Sequence, residues 1–314
     1  MGLITRGSLV AVTGATGFIG TVLCAELLQS GYLVTALARS PDRARHLSDL
    51  GVTLIEGDLD DAGALQQLVS GCAAVIHAAG AVRGASSEAF SHINVAGTAA
   101  LLAAVTARAE PPRVLLLSSL AAREPDLSWY AASKRAGEEL LARQLQLDWV
   151  ALRPPAVYGP GDREMLPVFQ AMARGIAPVP GATTARISLI HVTDLVAAII
   201  ACLQSDAATH QVLTPCDGKH DGYDWRELAD LVAATWGRKV RLWQVPRRPL
   251  DCVAWLNLYA ARLTGRAPML TPPKLRELRH NDWVTDNETI TRATGWRPEI
   301  TLRQGLEALR KAEL

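Results

Sequence analysis

Apolar runs and helical periodicity alternate along the first half of the chain. Short apolar runs stand at Leu9–Thr13, Leu33–Ala38, Thr53–Glu56, Ala74–His77, Val114–Leu117 and Trp149–Leu152. Between them, Phe18–Ser30, Ala62–Val69, Asn94–Ala109 and Tyr130–Leu145 repeat apolar residues at helical spacing. Strands alternating with helices predict right-handed crossovers and a parallel sheet, an α/β fold. The run "VLLLSS" has no in/out alternation, as expected of a strand covered on both faces.

After Arg153 the texture changes. "RPPAVYGPGD" is rich in proline and glycine and reads as loop. "ISLIHVTDLVAAIIACL" predicts a short strand and a helix with Thr193 as N-cap and Asp194 in its first turn. Beyond Gln204 come isolated helices, tryptophans and proline-rich joints, the pattern of a smaller lobe. Pro246–Pro273 reads as one helix between prolines. Its apolar part, Leu250–Leu263, carries Asp251 and Arg262 and is expected to line a core or pocket, with membrane-surface contact as the minority alternative. No uninterrupted run of 18 apolar residues occurs, so no membrane span is expected. The opening "MGLITRGSLV" lacks the apolar core of a signal peptide, so a cytoplasmic location is expected.

Composition narrows the function. With 314 residues, 49% apolar and 20% charged, the chain can bury a large core. A net charge of +1 gives nucleic acid no electrostatic hold. The five cysteines, Cys24, Cys72, Cys202, Cys216 and Cys252, are scattered and read as reduced thiols. The seven histidines have no metal-ligand spacing, so no metal is expected.

The first chemical signal is "TGATGFIG", between the first strand and first helix. A helix N-terminus offers unpaired N–H groups and a positive dipole end, which suit a phosphate. Gly14 permits the tight turn, Gly17 close backbone approach and Gly20 close helix–strand packing. The spacing GxxGxxG is one residue longer than the common dinucleotide fingerprint. Gly14, Thr16, Gly17, Phe18, Ile19 and Gly20 are the expected diphosphate cradle. At the end of the second strand stands Arg39 rather than an acid, which favours NADP(H) and leaves NAD(H) open. Asp58 and Leu59 are candidates for the adenine. Ala78, Ala79 and Gly80 of "HAAG" leave room for the middle of the cofactor.

The second signal is Tyr130 and Lys134, four residues apart on one helix face. An ammonium near a phenol favours the phenolate, so Lys134 is expected to lower the Tyr130 pKa and also hold the nicotinamide ribose. Tyr130 would then exchange a proton with a substrate oxygen while hydride passes. Ser119 would hydrogen-bond the same oxygen. Ser118 is the fallback and a cofactor-contact candidate.

Taken together, "TGATGFIG", "GDLDD", "HAAG", "NVAGT", "SSL", "YAASK" and "LRPPAVYGPGD" resemble the extended short-chain dehydrogenase/reductase family, the NAD-dependent epimerases and dehydratases. The resemblance spans Ser8 to Leu203. It implies a Rossmann-type doubly wound sheet over residues 1–155, with 187–203 returning to it. A smaller C-terminal α/β substrate lobe is implied over 156–186 and 204–314. It also implies catalytic Ser119, Tyr130 and Lys134, a structural or proton-relay Asn94, Pro154 to Val157 beside the nicotinamide, and a homodimer. Two departures, the short gap before Tyr130 and the absent acid after the second strand, disfavour nucleotide sugars.

The segment Pro246–Asp282, with a helix before "GRAPMLT", resembles the 3β-hydroxysteroid dehydrogenase-like branch. The expected substrate is a small, fairly apolar molecule with a secondary alcohol or ketone. A nucleotide-sugar epimerase, dehydratase or reductase, its pyrophosphate held by Arg186 and Arg276, is the alternative. A non-catalytic dinucleotide-binding protein is the third reading. His191 is expected to serve packing, and Trp225, Trp236, Trp243, Trp255 and Trp283 to be mainly core.

Overall fold

The computed structural model describes residues 4–264, 268 and 270–312. Six strands alternate with helices over its first half: β1 Leu9–Thr13, α1 Phe18–Gln29, β2 Leu33–Ala38, α2 Arg45–Asp49, β3 Thr53–Glu56, α3 Ala62–Leu68 and β4 Ala74–His77. Then follow α4 Ser87–Ser91, α5 Gly97–Thr106, β5 Arg113–Leu117, α6 Trp129–Ala142 and β6 Trp149–Leu152. All pair in parallel, in the order β3-β2-β1-β4-β5-β6. The chain therefore reverses direction across the sheet between β1 and β4, the place where such sheets bind ligands at their carboxyl edge.

The alternation hidden in the continuous apolar runs emerges here. Val10, Val12, Val34, Ile76, Leu115 and Val150 face one core, and Ala11, Val75, Val114, Leu116 and Ala151 face another. Both faces are covered, so both alternate sets must be apolar.

The second half comprises β7 Ala156–Tyr158, α7 Leu166–Ala173, β8 Ile176–Val179, β9 Arg186–Ile187, β10 Leu189–His191, α8 Val192–Leu203 and β11 Gln211–Leu213. It continues with α9 Trp225–Trp236, β12 Arg241–Gln244, α10 Arg247–Thr264, α11 Pro272–Leu278, β13 Asp282–Trp283, α12 Glu288–Thr294 and α13 Leu302–Ala312. Tyr158, Phe169, Met172, Leu228, Val232 and Leu306 form a separate core.

Several expectations change. The proline-rich stretch is not all loop: Ala156–Tyr158 pairs in parallel with Leu189–His191, because the prolines precede the strand and leave its N–H groups free. Gln211–Leu213, expected in the lobe, becomes the seventh strand of the main sheet beside β6. Ile290, Ala293 and Trp296 also pack into that core.

The cap of α8 is His191, whose ring accepts from Thr193 N (3.3 Å), rather than Thr193. Asp194 stands in the first turn as read, and its carboxylate also accepts from the backbone N–H groups of Glu299 (3.2 Å) and Ile300 (2.9 Å), more than a hundred residues on. Ser87–Thr106, mean hydropathy 1.4, is the one described helical run long and apolar enough to cross a bilayer. In the fold Leu101, Leu102 and Val105 bury against the sheet.

Replacing Asp194 by Ala leaves the part-buried N–H donors of Glu299 and Ile300 without their carboxylate. Chemical denaturation should show a loss of about 2–3 kcal/mol, and Asp194→Asn a smaller loss.

Candidate active site

The glycine loop sits where β1 and β4 end side by side. Gly14 has φ +74°, and a Cβ there would lie 2.5 Å from Ala79 N. At Gly20 a Cβ would collide with the Gly14 carbonyl. Gly17 begins α1 without any side-chain cap, and Thr16 and Gly17 are exposed. The result is an open helix N-terminus that no side chain fills, which fits the diphosphate of a dinucleotide. Below it, buried His77 bonds Thr13 Oγ1 (2.6 Å) and Thr98 Oγ1 (3.0 Å), and Thr13 Oγ1 accepts from Ala79 N (3.3 Å). Burial, and then the Lys134 charge, push the His77 pKa down to about 3, so the clamp stays neutral.

Arg39 lies exposed just past β2 with no ion-pair partner among the described residues. It is free to meet an anion. One Asp58 oxygen accepts from Asp60 N (3.0 Å) and shapes its own turn. Leu59 packs against Gly97, where a Cβ would meet its side chain.

Helix α6 carries the candidate chemistry. Ser128 caps it, accepting from Ala131 N at 3.0 Å. Its inner stripe, Ala131, Lys134, Glu138 and Leu141, is buried. Lys134 Nζ donates to the Leu117 carbonyl at 2.9 Å and comes so close to Gly80 that a Cβ there would lie 2.9 Å from it. Burial lowers the Lys134 pKa to about 8, with Glu138 opposing. Asn94, inside a π turn over His92–Ala96, donates to Ser133 Oγ (2.8 Å) and accepts from Ala81 N (2.8 Å). It pins α6 to the loop after β4, which is a structural role.

The Ser119 hydroxyl lies near enough to Tyr130 to act on its phenol, so the structure brings together the two side chains expected to share a substrate oxygen. The expected lowering of the phenol pKa is reversed. Burial raises it well above the usual value, and Glu277 and Glu164 add to that, against the Ser119 hydroxyl. A neutral phenol is a proton donor, the form that ketone reduction requires. Ser118 has a different role from the one expected. Its buried hydroxyl donates to Glu138 (2.5 Å), which also receives Arg153 Nε (2.8 Å). That pair holds α6 against β6 and takes Ser118 away from the site. Pro154 accepts from Leu120 N (2.8 Å), and half-buried Val157 lies in β7.

The sequence reading missed the lobe's reach into the site. Buried Glu277 of α11 accepts from Ser128 Oγ (2.7 Å) and pairs with Lys274. The Lys274 ammonium stands 5.4 Å from the Tyr130 ring centroid, and Phe90 meets that ring edge-on at 6.2 Å. A shallow, open cleft lies here, lined by Val82, Phe90, Trp129, Tyr130, Pro273 and Lys274 among others. Ser128 was readable as a cap; nothing local in the sequence marks Phe90 or Lys274.

The candidate sugar-phosphate cations do not converge on the cleft. Arg186 is taken up by Glu227 (3.0 Å) and by the Gly222 carbonyl (3.1 Å), and Arg276 donates to the Leu127 carbonyl (3.1 Å). His191 is a packing residue, meeting Tyr158 edge-on at 5.3 Å. Among the described residues no His/Cys/Asp/Glu group could hold a metal, and all five thiols are free. Four residues of the "GRAPM" stretch lie outside the described residues.

A family model for the NAD dependent epimerase/dehydratase family matches residues 10–213. The chain is 40% identical over 276 residues to a ceramide reductase of Caulobacter vibrioides, covering 88% of this chain and 85% of that one. It is 36% identical over 186 residues to a 2-alkyl-3-oxoalkanoate reductase of Stenotrophomonas maltophilia, covering 52% and 56%. Among solved structures, a UDP-glucuronic acid 4-epimerase of Bacillus cereus, in complex with UDP-4-deoxy-4-fluoro-glucuronic acid and NAD, superposes with TM-score 0.75. That pair is 19% identical and covers 96% and 97% of the two chains.

The buried ammonium of Lys134 should destabilise the fold. Its folded pKa (about 8) lies below its unfolded one, so between pH 8 and 10.5 the unfolded chain binds more protons and stability rises with pH. Lys134→Met should raise stability at pH 7 by about 1–3 kcal/mol and remove that rise; thermal melts across the window read both.

Proposed function

Because the chain belongs to the NAD dependent epimerase/dehydratase family, an NAD(P)-dependent oxidoreductase reading is its premise, and we propose that it reduces a ketone on a long-chain, ceramide-like substrate. The observation that carries this reading is Tyr130, with Ser119 beside it, on the wall of a cleft that Phe90, Trp129 and Pro273 also line. A nicotinamide cofactor, when bound, supplies the hydride. Tyr130 gives its proton to the substrate oxygen, and Ser119 holds that oxygen by a hydrogen bond. Lys134 would hold the ribose, and the Gly14–Gly20 loop the diphosphate. The likeness to a ceramide reductase supports a lipid substrate, and the internal pairing of Arg186 argues against a nucleotide sugar.

We further propose a preference for NADP(H), because the unpaired guanidinium of Arg39 suits a 2′-phosphate. The adenine would lie near Leu59 and the free Asp58 oxygen, and Pro154 and Val157 would border the nicotinamide. A homodimer remains part of this proposal, and light scattering reads it directly.

Tyr130→Phe should lower kcat for ketone reduction by about 10²-fold or more while NADPH affinity changes little, as isothermal titration would read. Unchanged turnover would remove Tyr130 from its role. Arg39→Ala should weaken NADPH binding by about tenfold and leave NADH binding nearly untouched; equal effects on both would overturn the 2′-phosphate assignment.

A further inference from the structure

An amphipathic helix on a protein surface normally turns its polar side outward. Helix α10 does not. Its inner stripe is Ala254, Leu258 and Ala261, all buried. The opposite stripe is Trp255, Leu256, Tyr259 and Leu263, each more than 60% exposed. This corrects the expectation of a core or pocket-lining helix: the covered stripe is small, and the large side chains face out. On the β8–β12 ladder that leads into α10, Ile176 and Trp243 are exposed as well, and both point to one face.

Charge separates here too. Arg238, Lys239, Arg241, Arg247 and Arg248 are all exposed. The one acid between residues 237 and 264 is Asp251, already paired with Arg279 at 2.6 Å. The chain as a whole carries only +1, so this end is distinctly basic.

We propose that the outer face of α10 seats on an anionic lipid bilayer. Tryptophan, tyrosine and leucine enter the headgroup–acyl boundary while the arginines meet lipid phosphates. A second copy docked face to face would bring the same cations together, which favours a negatively charged surface over self-association. The placement also serves the cleft. Pro268, Thr271, Pro273 and Lys274, the chain that follows α10, form one wall of it, and α10 packs on α11. A long-chain substrate could pass from the lipid phase into the cleft without crossing water; this part of the inference rests on the apolar-ketone reading above.

The test uses the full chain with vesicles of phosphatidylcholine, with and without phosphatidylglycerol. Wild-type protein should sediment with the anionic vesicles, and less as salt rises. Bilayer-embedded bromolipid should quench its tryptophan fluorescence. The variant Trp255→Ser/Leu256→Ser/Tyr259→Ser should bind about tenfold or more weakly. Its turnover on a short, water-soluble ketone should match wild type, since none of these side chains lies in the cleft. Wild-type protein left in the supernatant, or a triple variant that binds as tightly, would overturn the inference. So would a wild-type dimer that the variant dissolves, which would give the face to a second copy. If wild type binds vesicles but reduces no apolar ketone, the bilayer surface stands and the substrate reading falls.

Discussion

The structure is organised around one close approach of backbone to backbone. At the edge where the sheet reverses its strand order, the turn after β1 packs directly on Ala78 and Ala79 after β4, and no Cβ fits between them at Gly14. Only this contact leaves the N-terminus of α1 open toward the carboxyl ends of the strands. Ala78–Gly80, Ser119 and Pro154 all follow strands that end on that same edge. The Thr13–His77–Thr98 chain locks the contact from below, and burial keeps its imidazole neutral. A polar network buried this deeply is stable when each member has a partner, which both ring nitrogens do.

Helix α6 buries charge at a cost in stability. Its buried stripe contains an ammonium and a carboxylate where apolar residues would pack better. Glu138 is compensated by Arg153 and Ser118, and Lys134 by a single carbonyl. Burial therefore lowers Lys134 and raises Tyr130, placing a partly depressed ammonium one turn from a neutral phenol. The C-terminal lobe completes the arrangement: α11 brings Glu277 to the cap of α6 and Lys274 to the face of the Tyr130 ring. These C-terminal residues thus both form one wall of the cleft and set the charge around the Tyr130 phenol.

Much of this was legible residue by residue. The six strand runs match the first six strands closely, and the glycine loop stands between β1 and α1 as its spacing predicts. Tyr130 and Lys134 share the helix that their four-residue spacing demanded. These features are local, set by the period of a helix or strand and by the need for glycine at a crowded turn. The misreadings were all non-local. Thr193 looked like a cap, but the ring of His191 took that place; the bonds of Asp194 to residues 299 and 300 likewise had no local signal. Ser118 and Ser119 are chemically identical neighbours, and only the position of Glu138 distinguishes them.

The amino-acid sequence by itself determined the sheet strands, the glycine loop and the tyrosine–lysine pair, because each depends on contacts within a few turns of chain. Tertiary structure alone decided which hydroxyl Glu138 takes up, that Arg186 is taken up internally, that Gln211–Leu213 extends the main sheet, and that the large apolar side chains of α10 face outward. Each of those outcomes turns on a partner brought from a distant segment, or on the lack of one. Hydrophobic periodicity records that a side chain is apolar, not whether the fold supplies a surface to cover it.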